Sequence, residues 1–211
     1  MTDLTVYLIR HGQTRWNKNT IFRGHKDIPL DETGILQAEK TANYLKDFGI
    51  EKIYSSPLLR AYQTAKKISE STGIQIEKIP ELTDINFGQW EGKDLNWVKK
   101  NDPENYFNYK YDPEIASFPG GESMSECFER SYKVFFKLLS NNGKKIAIVT
   151  HRVILKMILL GILGLSLKAF WQLQLDTCSI SEVYTKKSTI IIKCLNSVCH
   201  LNNLSDNKVD F

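Results

Sequence analysis

The residues most able to do chemistry follow a short apolar run near the start of the chain. Val6 to Ile9 predicts a buried strand, and Arg10, His11 and Gly12 come directly after it. Ligands of open α/β sheets bind at the carboxyl ends of strands, and we expect Gly12 to let the backbone turn there. The Arg10 guanidinium suits phosphate oxygens, and a neutral His11 imidazole can act as a nucleophile near pH 7. Taken alone, this tripeptide also fits an ordinary hydrogen-bonded surface pair.

Three further predicted strands also lead into polar residues. Ile50 to Ser56 precedes Arg60, Ile74 to Ile79 precedes Glu81 and Asp84, and Lys145 to Thr150 precedes His151. Because strands of one sheet can bring such ends to a single ligand, we expect these groups to converge. Two arginines and two histidines can hold a phosphoryl group, and a carboxylic acid beside them can protonate a leaving oxygen. This inventory indicates phosphoryl transfer through a covalent phosphohistidine.

The elements that must position these residues alternate between strands and helices. The alternation predicts an α/β fold with a mostly parallel central sheet sandwiched by helices. A first helix is expected to reach Phe48, with Ile35 and Leu36 among the residues on its inner side. Ser123 and Glu126 form a capping box that marks the start of a long later helix. Two final strands, 179–184 and 189–195, are expected to form a hairpin through Lys187.

The length of 211 residues fits a single domain, residues 1–211. Between about residues 86 and 121 the alternation is lost and aromatic residues accumulate. We interpret this stretch as a cap insertion over a site, although a satellite aromatic core explains it equally well. The polar tail, about residues 202–211, is expected to fray.

Composition narrows the class of partner. The net charge of +4 is too small for a dedicated nucleic-acid binder, so we expect no nucleic-acid partner. Residues 153–167 form the longest apolar stretch, which Lys156 and two glycines interrupt, so we expect no membrane partner. Four cysteines without a disulfide framework indicate a reducing compartment, the cytoplasm.

Several motifs in this order resemble those of the histidine phosphatase superfamily, the phosphoglycerate mutase-like group. They are Arg10-His11-Gly12 with Thr14 and Asn17, Ser55-Ser56-Pro57-Leu58-Leu59-Arg60-Ala61, Phe87-Gly88-Gln89-Trp90-Glu91-Gly92, and Val149-Thr150-His151. The resemblance spans Leu4 to about Tyr184. It implies a phosphoglycerate mutase-like fold and an enzyme that needs no metal and no cofactor.

The resemblance also implies roles for individual residues. His11 attacks phosphorus and carries the phosphoryl group, while Arg10, Arg60 and His151 hold its equatorial oxygens. Asn17 adds a hydrogen bond to the same group. Preoriented donors of this kind neutralise the negative charge spread over a transferring phosphoryl group.

Three positions depart from the family pattern. Asp84 occupies the position where related phosphatases usually have a Glu as general acid, and Glu81 is the alternative acid. Gln13 stands where the family commonly has Glu, and Arg152 stands where Gly is more usual. Arg152 either contacts the substrate or is a solvated residue at a helix start. We assign phosphate or substrate binding to Asn17, Thr14, Arg23, Gly24 and Arg152.

The predicted function is that of a histidine acid-type phosphatase, a phosphomonoesterase acting on small phosphorylated metabolites. Related phosphatases act on phosphoserine, α-ribazole phosphate or sugar phosphates, so the predicted partner is a small-molecule phosphate ester. A phosphoglycerate-type mutase is one alternative, and a non-catalytic phospholigand-binding protein is another. We expect a monomer or a homodimer.

Overall fold

The computed structural model describes residues 3–17, 21–140, 143–187 and 189–204. Six strands form one sheet: β1 (Leu4–Arg10), β2 (Lys52–Ser55), β3 (Ile76–Lys78), β4 (Lys145–Thr150), β5 (Ile180–Lys186) and β6 (Thr189–Ser197). Their order is β3-β2-β4-β1-β5-β6. Strands β3, β2, β4 and β1 are parallel, and β5 and β6 add an antiparallel hairpin at one side. The predicted mostly parallel sheet and its final hairpin are therefore confirmed.

Within the described ranges, six α-helices accompany the sheet: α1 (Glu32–Leu45), α2 (Leu59–Thr72), α3 (Leu95–Asn101), α4 (Pro103–Tyr111), α5 (Met124–Leu139) and α6 (Arg152–Leu163). Alternate residues of β1 face opposite sides, as the two-residue period of a strand requires. Val6 and Leu8 pack in the same core cluster as α5 and α6, whereas Tyr7 and Ile9 pack in the cluster that contains α1 and α2. Helices thus cover both faces of the sheet.

The inner face of α1 differs from the predicted one. Ile35 and Leu36 are 40% and 50% exposed, and the helix ends at Leu45 rather than at Phe48. The buried residues instead include the polar Gln37 and Thr41. Both polar side chains are hydrogen bonded, so their burial leaves no unsatisfied group of the kind that destabilises a core. Ala38, Ala42 and Leu45 are buried on the same side, as the apolar spacing predicts, so small apolar residues and hydrogen-bonded polar ones together form the inner face of α1.

The capping box at the start of α5 is confirmed. The Ser123 hydroxyl accepts a hydrogen bond from the Glu126 amide at 3.1 Å, and Glu126 Oε2 accepts one from the Ser123 amide at 2.8 Å. Two amides that no helical carbonyl can reach are satisfied in this way.

The aromatic stretch at about residues 86–121 contains two helices, α3 and α4, where the sequence indicated only irregular chain. Asp94 caps α3, and Pro103 opens α4 at a position where proline is favoured. Phe87, Trp90, Tyr109 and Phe118 are buried and meet edge to face. The satellite aromatic core is therefore present, and its cap role stays a prediction.

Residues 202–204 belong to a short 3-10 helix, Cys199–Leu204. The rest of the predicted polar tail lies outside the described residues. Within the described ranges, no helix is both long and apolar enough to cross a bilayer.

Gly12 serves the fold differently from what the sequence indicated. It is not among the glycines with positive φ. Instead, a Cβ atom at Gly12 would lie 2.6 Å from the carbonyl oxygen of Gly34, and one at Gly34 would lie 2.0 Å from the carbonyl oxygen of Gln13. The loop after β1 and the first turn of α1 thus pack backbone against backbone. Only residues without a side chain fit at this contact.

We expect Gly34→Ala to lower the free energy of unfolding by about 1–3 kcal/mol, the usual effect of overpacking. This loss opposes the helix propensity of alanine, which favours the substitution. The matched change is Gly161→Ala in α6, where the added Cβ would lie 2.3 Å from a carbon of the half-buried Tyr132 ring. A ring can turn aside and a carbonyl cannot, so this loss should be smaller. Urea denaturation measures both, and an unchanged Gly34→Ala stability would contradict the contact.

Candidate active site

The register of β1 on β4 brings two histidines together. Arg10 lies opposite Thr150 in this parallel pair, so the residue that follows each strand end is a histidine. The His11 amide continues the ladder by donating to the Thr150 carbonyl at 2.9 Å. The centroids of the His11 and His151 rings are 5.2 Å apart, and both side chains are buried. The predicted convergence of these two strand ends is observed.

His11 is held as a neutral imidazole. Its Nδ1 atom lies 2.7 Å from the Gly12 carbonyl oxygen, which can only accept, so Nδ1 carries the proton and the lone pair is on Nε2. Burial lowers the pKa of His11 well below its ordinary value, and the positive charges of Arg60, Arg10 and Arg23 lower it further. A neutral ring with its lone pair on Nε2 is the form that can attack phosphorus.

His151 has the opposite tautomer. Arg60 Nε donates to His151 Nδ1 at 3.2 Å, so the ring proton is on Nε2, which donates to the Ser56 hydroxyl at 2.7 Å. Burial, followed by the charge of Arg60, lowers the pKa of His151 well below its ordinary value. His151 is therefore neutral, and its two hydrogen bonds fix the ring orientation.

Arg60 connects the site to two other segments. Its buried guanidinium donates to Asp84 Oδ2 at 3.1 Å and to the carbonyl oxygens of Gly24 and Lys26 at 2.8 and 2.9 Å. Both carbonyls belong to the loop between β1 and α1. Arg60 thus holds that loop and Asp84 beside His151 with a single planar cation.

The structure brings Asp84, and not Glu81, to the histidines. Asp84 is buried, accepts from the Ile85 amide at 3.0 Å, and has Oδ2 3.7 Å from His151 Nδ1. The Glu81 side chain is 44% exposed and lies 3.5 Å from the Lys137 ammonium. Of the two carboxylates that the sequence offered, Asp84 alone contacts the buried cluster.

Asn17 presents a buried amide beside the strand end. Its Oδ1 accepts from both the amide and the hydroxyl of Thr14, at 2.8 and 2.9 Å. Among the described residues its Nδ2 has no hydrogen-bond acceptor. A buried donor in this state favours an anionic ligand. Thr14 therefore orients Asn17, and Arg10 is oriented by a 2.6 Å hydrogen bond from Nη1 to the Leu175 carbonyl.

The contacts of Gln13 explain why a glutamine suits this position, where the family commonly has Glu. Its side-chain amide donates to Asp31 Oδ2 at 3.0 Å, and Asp31 Oδ1 caps α1 through the Gly34 amide at 2.8 Å. A glutamate here would set two carboxylates against each other. The Gln13 backbone amide donates to Gln37 Oε1, so the loop after His11 is fixed at both its side chain and its backbone.

The proposed substrate residues lie around this cluster. Gly24 has a φ of +49°, and a Cβ there would lie 2.1 Å from Glu91 Oε1, the same oxygen that accepts from the His25 amide. Arg23 directly precedes Gly24 and is half-buried. Arg152 is the first residue of α6 and is also half-buried, and its contact with a substrate stays a prediction.

Sequence reasoning assigned no site role to Ser56, Thr64 or Tyr109. Ser56 accepts from His151, and the Thr64 hydroxyl accepts from the Gly12 amide at 3.0 Å. Ser56 lies within the motif that contains Arg60, and Thr64 lies shortly after it. This proximity to the motif is the feature of the sequence that could have indicated a role for both residues. Tyr109 comes from α4, and burial raises the pKa of its hydroxyl to about 12. Nothing in the sequence separated Tyr109 from the other aromatic residues of the stretch.

Comparisons with known proteins identify the family of this chain. The family model "Histidine phosphatase superfamily (branch 1)" matches residues 6–198. Phosphoserine phosphatase 1 of Hydrogenobacter thermophilus is 31% identical over 93% of this chain and 93% of its own length. A probable phosphoglycerate mutase of Yersinia pestis is 35% identical, covering 88% of this chain and 86% of its own. The crystal structure of α-ribazole phosphatase from Shigella flexneri has a TM-score of 0.85 and 27% identity, covering 92% and 96% of the two chains.

These relatives include both phosphatases and a protein named as a mutase. The named phosphatases favour hydrolysis of phosphoric monoesters over the mutase alternative, and they share the mixed α/β fold of this chain. The family model covers nearly the whole chain, so the protein belongs to branch 1 of the histidine phosphatase superfamily.

Proposed function

We propose that the protein hydrolyses small phosphate monoesters through a phosphohistidine on His11. One observation carries this proposal. A buried, neutral imidazole with its lone pair on Nε2 stands among guanidinium groups, within one cluster with a carboxylic acid residue. This combination supplies a nucleophile, charge neutralisation and a proton donor.

The reaction has two steps. His11 Nε2 attacks phosphorus, the bond from phosphorus to the ester oxygen breaks, and Asp84 gives its proton to that oxygen. A water molecule then attacks the phosphohistidine, Asp84 takes one proton from this water, and phosphate leaves with His11 restored. The same carboxyl group thus acts first as acid and then as base. Arg10, Arg60, His151 and Asn17 hold the equatorial oxygens in both steps.

The substrate is a small phosphorylated metabolite that the segment around Arg23, Gly24 and Arg152 recognises, with Thr14 supporting Asn17. Phosphoserine, α-ribazole phosphate and sugar phosphates are the candidate types, and the names of the relatives support the first two. We further propose that the guanidinium groups supply the positive charge without a metal or cofactor. The four free thiols support a reducing, cytoplasmic location.

The first prediction concerns the covalent intermediate. His11→Ala should abolish phosphate release from p-nitrophenyl phosphate, because the variant lacks the imidazole that accepts the phosphoryl group in this mechanism. Rapid quenching of the wild type with labelled substrate should trap label on His11 that is stable in base and labile in acid. Thr64→Ser is a control that keeps the hydroxyl bonded to Gly12. Full turnover by His11→Ala would refute the mechanism, and isomerisation of phosphoglycerate without phosphate release would favour the mutase.

The second prediction concerns the acid. Asp84→Asn should lower kcat for glycerol phosphate by about 10²- to 10⁴-fold, since an alkoxide needs a proton to leave. The loss should be much smaller for p-nitrophenyl phosphate, whose leaving group is stable as an anion. Glu81→Gln tests the alternative acid with the same two substrates. An equal loss for both esters in Asp84→Asn, or the larger selective loss in Glu81→Gln, would reassign the acid.

The third prediction concerns protonation. The pKa values of His11 and His151 are lowered, so both rings should stay neutral at about pH 5.5, where an ordinary histidine is mostly protonated. Nitrogen-15 NMR should show Nδ1–H for one ring and Nε2–H for the other, with His11→Ala removing the first signal. In the unfolded chain, His11 and His151 bind protons once the pH falls below the ordinary histidine pKa, whereas in the folded protein they do not. The free energy of unfolding therefore falls as the pH is lowered through that range. Because the chain has four histidines, the signals must be assigned, and imidazolium signals from His11 and His151 at that pH would contradict the neutral pair.

A further inference from the structure

Asp84 lies in a segment whose backbone forms neither a strand nor an α-helix. Residues 81–86, the Asp84 segment, begin in the short 3-10 helix Pro80–Leu82 and continue as irregular chain. An aspartate is one methylene shorter than a glutamate, so the position of its carboxyl group depends closely on where its backbone is held. The contacts that hold this segment therefore bear on the proposed proton transfer.

Arg130 of α5 holds the part of the segment that precedes Asp84. Its Nη1 atom donates to the carbonyl oxygen of Glu81 at 2.7 Å and to that of Thr83 at 3.0 Å. The Arg130 side chain is 23% exposed, so these hydrogen bonds are shielded from most of the competing water. Two backbone carbonyls of the segment are thus bound by one nitrogen atom from α5.

Glu122 holds the part of the segment that follows Asp84. It directly precedes Ser123, the cap of α5. Glu122 Oε2 accepts from the Asn86 amide at 2.9 Å, and the Glu122 backbone amide donates to the Asn86 carbonyl at 2.9 Å. Both backbone polar groups of Asn86 are therefore paired with a single residue. The start of α5 and the end of the Asp84 segment form one hydrogen-bonded unit.

Arg130 and Glu122 also form an ion pair with each other. Arg130 Nε lies 2.8 Å from Glu122 Oε1, and Arg130 Nη2 lies 2.8 Å from Glu122 Oε2. This two-point contact between planar groups fixes their relative orientation, which a single contact does not. The third nitrogen of the guanidinium binds the carbonyls before Asp84. The two points at which α5 holds the segment are thereby kept at a fixed separation.

Groups next to the proposed site support the segment from another direction. The Thr150 hydroxyl, one residue before His151, donates to the Leu82 carbonyl at 2.6 Å. Arg60 of α2 donates to the Asp84 carboxylate itself. These contacts hold the segment against the strand ends and α2, whereas the ion pair holds it against α5. Removing the ion pair would leave the Asp84 carboxyl group present but release its backbone on one side.

We propose that Arg130 and Glu122 are positioning residues that keep the Asp84 carboxyl group within reach of the leaving oxygen. This inference rests on the proposed function, in which Asp84 protonates that oxygen. Proton transfer needs hydrogen-bond distance, and a misplacement of about 1 Å can lower a rate by about 100-fold. The ion pair should therefore matter most for esters whose leaving group needs a proton.

Two esters separate positioning of Asp84 from general support of the fold. For glycerol phosphate, whose alkoxide needs a proton, Arg130→Met should lower kcat/KM by about tenfold or more. For p-nitrophenyl phosphate, whose leaving group is stable as an anion, the loss should be much smaller. We compare kcat/KM because it reports the transition state for departure of the alcohol relative to free enzyme and substrate.

Further variants test each half of the ion pair. Arg130→Lys keeps the charge but not the planar fork, so it should restore only part of the loss. Glu122→Gln keeps one oxygen for Asn86 but turns an N–H group toward Arg130, so it should give the same selective loss. Lys133→Met is the control, since it breaks an exposed ion pair with Glu129 on the same helix and should keep the wild-type ratio of the two esters. If Arg130→Met folds poorly, Arg130→Lys and Glu122→Gln give the comparison.

A double variant tests whether the ion pair acts through Asp84. In an Asp84→Asn background, Arg130→Met should lower kcat/KM for glycerol phosphate by less than about twofold, because the carboxyl group that it positions is already gone. A role in general folding would instead give the same loss in both backgrounds. Urea denaturation of each variant checks that it is folded under the assay conditions.

Two results would overturn the inference while the phosphatase remains. One is an equal loss for both esters in Arg130→Met, Arg130→Lys and Glu122→Gln, and the other is an undiminished loss in the Asp84→Asn background. If Asp84→Asn itself shows no selective loss, Asp84 is not the acid and the inference fails with that assignment. If the wild type hydrolyses no phosphate ester at all, the proposed function fails as well.

Discussion

The alignment of β1 with β4 is the constraint on which the site depends. Because Arg10 stands opposite Thr150, the next residue on each strand places an imidazole over the same sheet edge. Both strands are buried on two faces, and a slip of one residue would exchange core and opposite-face side chains along their length. The packing of these strands against the cores on both faces of the sheet therefore also sets the separation of His11 and His151. The placement of the two imidazoles and the packing of the core share one cause.

Arg60 is the second organising group. A guanidinium removed from water destabilises a protein unless its donors find acceptors. Here the acceptors come from three places: the ring of His151, the carboxylate of Asp84 and two loop carbonyls. Burial lowers the pKa of both histidines, and the same positive charge lowers it further, since a cation disfavours a second cation nearby. One buried side chain thus orients the loop, positions Asp84 and adds to the effect of burial on the two imidazoles.

Much of this site could be predicted from the sequence, because short apolar runs ending in Arg-His or Thr-His mark strand ends. The remaining features depend on contacts between distant segments. The tautomers of His11 and His151 follow from a carbonyl and a guanidinium that no local pattern reveals. Ile35 and Leu36 were predicted to be inside because they are apolar, but the inner face of α1 consists of smaller residues, Leu45 and the hydrogen-bonded Gln37 and Thr41. Tyr109 was missed because the spacing of aromatic residues in α3 and α4 lacks a clear period.

The contact between Gly12 and Gly34 has a consequence for how the protein can diversify. The obstructing atoms on both sides are main-chain atoms, which no exchange of a neighbouring side chain can remove. Second-site suppressors of a substitution at either position should therefore be absent from libraries of point mutations. The clash can be relieved by changing the length of the loop between β1 and α1, and such a change would also displace His11.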